Sequence, residues 1–391
     1  MPPVPVIVVA QLFGTSLWFS ANSAADDLIA RWGIGVGEIG TLTSAVQAGF
    51  ILGTLSFALS GLADRFAASR IFAVCAVLGA LFNAAFAVLA RDMGDAVVLR
   101  FAVGFCLAGV YPLGMKLVVT WVPERAGAAL SWLVGMLTLG TALPHGIRLA
   151  GAGWPWQMTI LASSVLALVA AAMILKLGDG PQLARRPPPT GLRLGRVLQA
   201  FSIPAFRASA LGYFGHMWEL YAFWTLVPAL VVAAGLASPG TAQVSALAFA
   251  TVGIGALGCV IGGRLSNRLG SARVAAGALA LSGLCCALFP FAAGLPPWSM
   301  VALLLLWGLA VVADSPHFSA LSARACPPEI VGSALALQNA IGFAITLFSI
   351  QLGTAWVGNY GMSIAWLLLP GPILGLIAFA PLWRRPATDL R

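Results

Sequence analysis

Charged side chains are scarce in this sequence. Only 8% of its 391 residues are Asp, Glu, Lys or Arg, whereas 60% are hydrophobic. Water-soluble domains carry about 25% charged residues because their surface faces water, and disordered chains combine high charge with low hydrophobicity. The composition therefore excludes a water-soluble enzyme and an intrinsically disordered chain, and it indicates a protein whose main solvent is lipid.

Cysteine and histidine are also few, with six and three residues respectively. No two cysteines have C-x-x-C spacing, so neither a disulfide framework nor a zinc site is expected. The metalloprotease motif H-E-x-x-H and comparable nucleophile motifs are missing, so we expect no enzymatic activity, no cofactor and no resident metal. The segment Met1–Pro5 has no basic n-region, so the first hydrophobic run is expected to remain as a membrane span.

Long hydrophobic runs dominate what is present. A membrane helix needs about 20 apolar residues to cross about 30 Å of hydrocarbon. Charged clusters and Gly/Pro punctuation divide the sequence into twelve such runs, which predicts an all-α membrane protein. The predicted spans lie roughly at 4–25, 38–62, 70–90, 96–120, 126–148, 154–177, 206–232, 241–263, 273–294, 298–321, 330–354 and 361–383.

One long polar stretch separates the sixth predicted span from the seventh. It contains Arg185, Arg186, Arg193 and Arg196 together with the run 187–189 of three prolines. The domain prediction is therefore an N-terminal six-helix bundle at 1–177, a cytoplasmic linker at 178–205 and a C-terminal six-helix bundle at 206–391.

Basic residues are distributed very unevenly between the two sides of these spans. With a cytoplasmic N-terminus, 16 of the 21 Lys and Arg residues lie on the cytoplasmic side and only Arg31 and Arg91 lie outside. Arg100, Lys116 and Arg148 fall within spans. Cytoplasmic loops of membrane proteins collect Lys and Arg, which face anionic lipid. We therefore expect both termini in the cytoplasm of a multi-pass inner (plasma) membrane protein, and the net charge of +9 does not require nucleic acid.

Two loops repeat one pattern at matching places in the two halves. The first spans residues 60–70 and the second spans residues 263–273, each following the second span of its half. Aligning Asp64 with Asn267 also pairs Arg65 with Arg268 and Arg70 with Arg273. This repeat predicts two pseudo-symmetric bundles.

Twelve spans, a 6+6 division, a basic linker and these two loops together resemble the major facilitator superfamily of secondary transporters. The family signature in this loop is similar to G-x-L-x-D-R-x-G-x-x-R; the first copy replaces both glycines, and the second copy keeps them but carries Asn267 in place of the acid. The resemblance implies a monomer in which spans 1, 4, 7 and 10 line a cavity near the midplane and the bundles rock to give alternating access. It also implies a cytoplasmic gate between the bundles, formed by Asp64, Arg65, Arg70, Asn267 and Arg268.

Ionisable residues inside predicted spans are costly and therefore candidates for function. Span 7 carries His216 and Glu219, and span 10 carries Asp314 and His317, so each pair is three residues apart and shares one helix face. Both spans are cavity-lining by the resemblance, which predicts a proton-coupling site made of these four residues. Two alternatives remain open: each pair is a local hydrogen-bonded contact, with Asp314 capping a helix broken at Asp314-Ser315-Pro316, or the four side chains bind a divalent metal.

Polar and aromatic residues in the predicted cavity-lining and interface spans are candidates for substrate binding. Arg100 on span 4 would bind a carboxylate or phosphate, because a guanidinium has fixed charge and bidentate geometry. Aromatic walls with a few polar anchors are typical of small-molecule sites. The predicted substrate-binding residues are Trp18, Asn22, Gln47, Arg100, Tyr111, Tyr221, Gln338 and Asn339.

The sequence thus predicts a proton-coupled secondary active transporter of a small organic solute, most simply an anion. An efflux antiporter for drugs or metabolites in the same fold is the first alternative, and a divalent metal transporter using His216, Glu219, Asp314 and His317 is the second. The expected partners are a small-molecule substrate, protons and membrane lipid.

Overall fold

The computed structural model describes residues 2–181, 198–327 and 330–384, with the side chains of residues 63, 64, 125 and 126 outside the description. The described residues form α-helices joined by turns and short 3-10 segments. Most of the predicted linker at 178–205, including its four arginines, lies outside these ranges. The division into two domains at this linker therefore stays a prediction.

The first half contains nine α-helices: α1 Pro3–Thr15, α2 Ala25–Trp32, α3 Val36–Ser60, α4 Leu62–Arg65, α5 Ala68–Leu89, α6 Met93–Leu107, α7 Tyr111–Trp121, α8 Ala126–Ala150 and α9 Trp156–Leu177. The second half, in the described part, contains α10 Pro204–Ala233, α11 Ala242–Gly253, α12 Gly255–Leu269, α13 Ser271–Leu288, α14 Pro297–Ala310, α15 Ser315–Ala325, α16 Val331–Tyr360, α17 Ala365–Leu368 and α18 Pro370–Trp383.

Ten helical runs among the described residues are long and apolar enough to cross a membrane. The last of them, Val331–Trp383, has 53 residues and covers both the eleventh and the twelfth predicted spans. α1 is apolar but has only 13 residues. The all-helical membrane fold is confirmed, whereas the number twelve and the side on which the termini lie remain predictions.

The first predicted span, 4–25, does not form one continuous α-helix, because α1 ends at Thr15. Hydroxyl groups donate to backbone carbonyls at its last residue and beyond it: Thr15 Oγ1 donates to Gln11 O at 2.8 Å and Ser20 Oγ donates to Leu17 O at 3.1 Å. Such local bonds compete with the helical ladder. The segment continues through turns to a 3-10 turn at Asn22–Ala24, so its backbone carbonyls become available to other helices.

Three further predicted spans are broken near their middle. The fourth is divided into α6 and α7, the eighth into α11 and α12, and the tenth into α14 and α15. Pro112 and Pro316 stand in the first turn of α7 and α15, where the missing amide proton of proline does no harm. The predicted break at Asp314-Ser315-Pro316 is thereby confirmed.

Glycines let the second and fourth spans of each half touch along their backbones. In the first half, a Cβ on Gly104 of α6 would overlap the Val46 carbonyl of α3, and a Cβ on Gly49 would overlap the Phe101 carbonyl. In the second half, a Cβ on Gly308 of α14 would overlap the Thr251 carbonyl of α11. The second and fourth spans of each half thus pack closely through glycines, which agrees with the internal repeat.

Among the described residues, the halves are joined by two extensive helix packings and by further side-chain contacts. α3 packs against α16, with Gly40 against Thr354 and Gln351 Nε2 donating to Ser44 Oγ at 3.0 Å. α8 packs against α11 and α12, with Gly135 facing the backbone of Ala256. We call the end of the bundle that carries residues 61–67, 178–181 and 264–270 the linker face. The opposite face carries residues 33–35, 151–155 and 234–241.

Replacing Gly104 by valine is expected to destabilise the fold, because the new side chain has to displace the backbone of α3. Overpacking of this kind costs roughly 1–3 kcal/mol or more. The thermal unfolding midpoint of the purified protein in detergent measures the effect. The matched control is Gly277→Val on α13, where an added Cβ meets no atom within 4 Å. Equal midpoints for the two variants would contradict the close packing of α3 on α6.

Candidate functional site

An aromatic cluster fills the centre of the contact between the halves. The Trp18 ring lies 4.9 Å from Phe50, 5.6 Å from Tyr221 and 5.8 Å from Phe343, measured between ring centroids. Phe50 and Phe343 are 4.5 Å apart, and Tyr221 also contacts Trp224 at 5.2 Å. The rings come from the segment after α1 and from α3, α10 and α16. They close the middle of the bundle in this conformation.

Beside this cluster lies a small central cavity of about 30 Å³ that is lined by both halves. Its walls include Tyr111, Tyr221 and Asn339, three of the residues predicted to bind substrate. A volume of this size holds about one water molecule. The structure therefore brings these three residues together at the centre, but in a state with no room for a solute.

A larger cavity of about 490 Å³ opens toward the opposite face between the halves. Its polar lining comes from Asn22, Asp26 and Thr225, and the rest of the lining is mainly aliphatic. Asn22 Nδ2 donates to Thr43 Oγ1 at 2.8 Å. Trp18 and Asn22, which the sequence places on one helix face, are thus divided between the aromatic cluster and this cavity.

Three buried glutamines, Gln11, Gln47 and Gln338, carry amide groups that form no hydrogen bond with any other described residue. Gln47 on α3 and Gln338 on α16 are both fully buried, and neither the amide nitrogen nor the amide oxygen of either residue has a hydrogen-bond partner. The indole nitrogens of Trp18 and Trp224 are also without a partner. Buried polar groups are normally hydrogen-bonded. These helices of both halves therefore carry donors and acceptors that remain available to a bound solute.

Arg100, unlike these glutamines, has hydrogen-bond partners for both terminal nitrogens of its side chain. It is fully buried on α6, with Nη1 donating to Asn83 Oδ1 at 2.7 Å and to Ser20 Oγ at 3.1 Å. Its Nη2 donates to the carbonyls of Leu17 at 3.0 Å and Trp18 at 2.6 Å. Both terminal nitrogens are therefore bound to the irregular segment after α1 and to α5. The predicted contact between Arg100 and a substrate stays a prediction.

Glu219 on α10 lies inside the second half, facing α13 and α14. Its Oε1 accepts a hydrogen bond from Trp307 Nε1 at 2.6 Å and its Oε2 accepts one from Ser282 Oγ at 2.9 Å. The residue is almost fully buried. Each carboxylate oxygen thus has one donor, and neither donor is the neighbouring histidine that the i, i+3 spacing suggests.

His216 pairs across helices instead. Its Nδ1 lies 2.8 Å from Oδ1 of Asp314, in the break between α14 and α15, and both side chains are buried. The contact is within ion-pair distance but lacks the angles of a hydrogen bond, and the described residues offer these two atoms no other hydrogen-bonding partner. Asp314 precedes α15 without capping it through its side chain. His317 points elsewhere, into a cavity at the linker face.

The described gate residues lie at the linker face, two on the first half and two on the second. Arg65 and Arg70 are exposed and line a hollow of about 540 Å³, whose Asp179 accepts a hydrogen bond from the Ser69 amide at 2.8 Å. Asn267 and Arg268 are exposed on α12. The Asp64 side chain lies outside the described residues. A latch between the halves at these positions therefore stays a prediction.

Sequence reasoning missed several partners of the buried ionisable groups. Asn83, Ser282 and Trp307 each bind one of them, and Phe343 completes the aromatic cluster. Asn83 is a single amide in a strongly apolar helix, which is a usable signal. Trp307 carried no signal of this kind, because a tryptophan in a membrane helix is equally typical of packing or of the interface. Among the described residues, no group of three or more His, Cys, Asp or Glu could hold a metal ion.

Replacing Arg100 by methionine is expected to lower stability without any ligand present, because the Leu17 and Trp18 carbonyls and Asn83 Oδ1 lose their donor. Each buried group left unpaired costs about 1–3 kcal/mol. Thermal unfolding in detergent measures the loss, with Arg91→Met at an exposed position as control. An unchanged midpoint for the Arg100 variant would show that the observed hydrogen bonds do not hold the first half together.

Comparison with known proteins agrees with this architecture. The sequence model of the family named Major Facilitator Superfamily matches residues 7–350 and 210–389 of this chain. The crystal structure of the nucleoside transporter NupG (D323A mutant) superposes with a TM-score of 0.71 over 96% of this chain and 98% of that one, at 15% sequence identity. At this identity the likeness concerns the fold alone.

Two curated relatives show local sequence similarity. The niacin transporter NiaP of Acinetobacter baylyi is 27% identical over 41% of this chain, and the match covers 36% of that protein's own length. A chloramphenicol resistance protein of Streptomyces lividans is 30% identical over 68% of this chain and 67% of its own. The chain belongs to the major facilitator superfamily and is a multi-pass membrane protein.

Proposed function

We propose that this protein is a transporter that couples the movement of protons to the passage of a small organic anion by alternating access. It spans the inner (plasma) membrane as a monomer with twelve helices and both termini in the cytoplasm. Bundles 1–177 and 206–391, joined by the linker 178–205, rock about the central cavity. The asymmetric distribution of Lys and Arg supports this orientation, with the linker face on the cytoplasmic side.

The helical geometry is compatible with twelve spans. At about 1.5 Å per residue, residues 3–24 reach about 33 Å if the irregular segment after α1 is included, which is enough to cross the hydrocarbon. The 53-residue run Val331–Trp383 contains Gly361 with a positive φ of 52°, which ends α16 and begins the last span. The irregular first span and the break at Gly361 would bring the ten helical runs to twelve spans.

The observation that carries proton coupling is the buried contact between His216 and Asp314. It joins α10 to the break before α15, two elements that also line the central cavity through Met217, Val312 and Ser315. A carboxyl–imidazole pair can exchange a proton when water reaches it, and histidine serves as a proton shuttle in proteins. Opening the cavity to either side would expose this pair to that side.

Glu219 is the second proton carrier. It lies one helical turn from His216 and deeper within the second half, where Trp307 and Ser282 hold both carboxylate oxygens. These two donors fix the orientation of the carboxyl group while leaving it fully enclosed. A proton delivered to Glu219 would weaken both bonds and allow α10 to move relative to α13 and α14.

The substrate site is formed by the central residues whose polar groups lack partners. Gln47 and Gln338 supply amides from α3 and α16, Trp18 supplies an indole N–H, and Tyr111 and Asn339 lie at the central cavity. Arg100 contributes positive charge close by, since its Nη2 is bound to the Trp18 carbonyl. Similarity to a niacin transporter supports an anion, because niacin is a carboxylic acid. Neutral donors combined with a buried guanidinium suit one carboxylate.

Glu219→Gln and Asp314→Asn are each expected to abolish uphill transport while preserving exchange of substrate across the membrane, because exchange needs no net proton movement. A thermal-shift screen of organic anions with the purified protein identifies the substrate, and proteoliposomes with a pH gradient then measure both activities. Glu124→Gln, an exposed acid at the linker face, is the control.

Normal uphill transport by Glu219→Gln would remove Glu219 from the coupling mechanism, and the same result for Asp314→Asn would remove the His216–Asp314 pair. Loss of exchange as well as uphill transport would point to a structural role for the replaced residue. The two variants therefore separate the two candidate carriers from each other.

Efflux of an amphipathic drug or metabolite is the second candidate function. The similarity to a chloramphenicol resistance protein and the aromatic centre favour it. Expression in an efflux-deficient bacterial host should then raise the inhibitory concentration of chloramphenicol several-fold, and Glu219→Gln should remove this protection. Unchanged sensitivity to a panel of drugs, together with a thermal shift by an organic anion, would favour the anion transporter.

A further inference from the structure

A third cavity between the halves lies at the linker face, away from the aromatic cluster. It has a volume of about 280 Å³ and lies between α8 of the first half and α12 and α15 of the second. Arg264 and Asn267 line it from α12, His317 and Arg324 line it from α15, and Ser131 lines it from α8. The cavity is thus built from both halves, at a place that opens or closes when they move.

The lining of this cavity is basic. Its described lining residues include two arginines and no acidic side chain. In the part of the chain that the structure describes, neither Arg264 nor Arg324 forms an ion pair with a carboxylate. Ser271 also lines the cavity, as the first residue of the 18-residue helix α13, whose free amides and dipole favour an anion.

A buried histidine adds a second, independent feature. His317 is only 4% exposed and lies in the wall of the cavity, where its Nε2 is close to Gly262 of α12 but lacks the geometry of a hydrogen bond to any described residue. Buried side-chain nitrogens without a partner are unusual in folded proteins. A ligand with acceptor oxygens would satisfy this nitrogen, and the same ligand would reach the two guanidinium groups.

We propose that this cavity is a binding site for a phosphate group, held by Arg264 and Arg324 with His317 at its base. Guanidinium groups bind the oxygens of phosphate in bidentate geometry, and the serine hydroxyls can donate to the remaining oxygens. The volume lies just below that of sites for drug-sized molecules, so a small group suits it better than a large solute. The site is separate from the central cavity and contains neither Glu219 nor the His216–Asp314 pair; His317, which the sequence groups with them, lies in its wall.

The group can come from a free phosphate or from the headgroup of an anionic phospholipid. Trp132 lines the cavity and is 44% exposed, and Leu265 beside Arg264 is 42% exposed. An exposed tryptophan next to basic residues is typical of the level of lipid headgroups. In both cases the bound group bridges α8 to α12 and α15, and it stabilises the present arrangement of the halves at the linker face.

Thermal unfolding of the purified full-length protein in detergent tests the site. Inorganic phosphate, titrated against chloride at constant ionic strength, is expected to raise the unfolding midpoint in a saturable way. Arg264→Gln and Arg324→Gln should each weaken the apparent affinity about tenfold or more, since each removes a charge-assisted contact. Both residues lie at the surface end of their helices, so folding should be retained. Arg207→Gln, an exposed arginine outside the cavity, is the control and should bind as the original protein does.

Reconstitution distinguishes the two sources of the phosphate group. Stabilisation by phosphatidylglycerol over phosphatidylcholine in nanodiscs, lost in Arg264→Gln but kept in Arg207→Gln, identifies a lipid headgroup even where free phosphate has no effect. Saturable stabilisation by inorganic phosphate with the same dependence on Arg264 identifies a site for the free ion. If neither ligand stabilises the protein, or if all three arginine variants respond alike, the proposal is overturned.

Discussion

The hydrogen bonds of Arg100 hold the first half of this protein together at the point where its first helix loses regularity. The segment after α1 leaves the carbonyls of Leu17 and Trp18 without helical partners, and in hydrocarbon an unpaired carbonyl is costly. The guanidinium group of α6 supplies the missing donors and also binds Asn83 of α5, which in turn donates to the Ile160 carbonyl and the Ser164 hydroxyl of α9. One charged side chain thereby connects four helical segments.

Some buried polar groups of this protein have several hydrogen-bond partners and others have none among the described residues. Inside the halves, Arg100, Asn83 and Glu219 each have several partners at 2.6–3.1 Å. Between the halves, the amides of Gln47 and Gln338 have none among the described residues. Groups without a hydrogen-bond partner among the described residues also occur inside the halves, at Gln11 of α1 and at the His216–Asp314 pair. An interface that must open and receive a solute needs donors and acceptors that a solute can use.

The contacts between the halves determine which cavities are open in this conformation. α3 and α16 touch directly near the opposite face, and the aromatic cluster fills the centre, so the central cavity holds about 30 Å³. Larger spaces remain toward the opposite face and at the linker face. Rings packed at centroid distances of 4.5–5.8 Å separate without breaking strong hydrogen bonds. A closure made of rings therefore suits a centre that must open repeatedly.

The sequence by itself determined that this is an all-helical membrane protein, and it determined most helix limits and the break before Pro316. These features depend on hydrophobic length, charge asymmetry and proline position, which are properties of a short stretch of chain. The repeated loops led to the correct family. The partner of each buried ionisable group was decided only by the tertiary structure. His216 meets Asp314 rather than Glu219, and Glu219 meets Trp307, 88 residues away. Such pairs depend on how far each helix is rotated about its axis, which local hydrophobicity does not specify when a helix is apolar on every side.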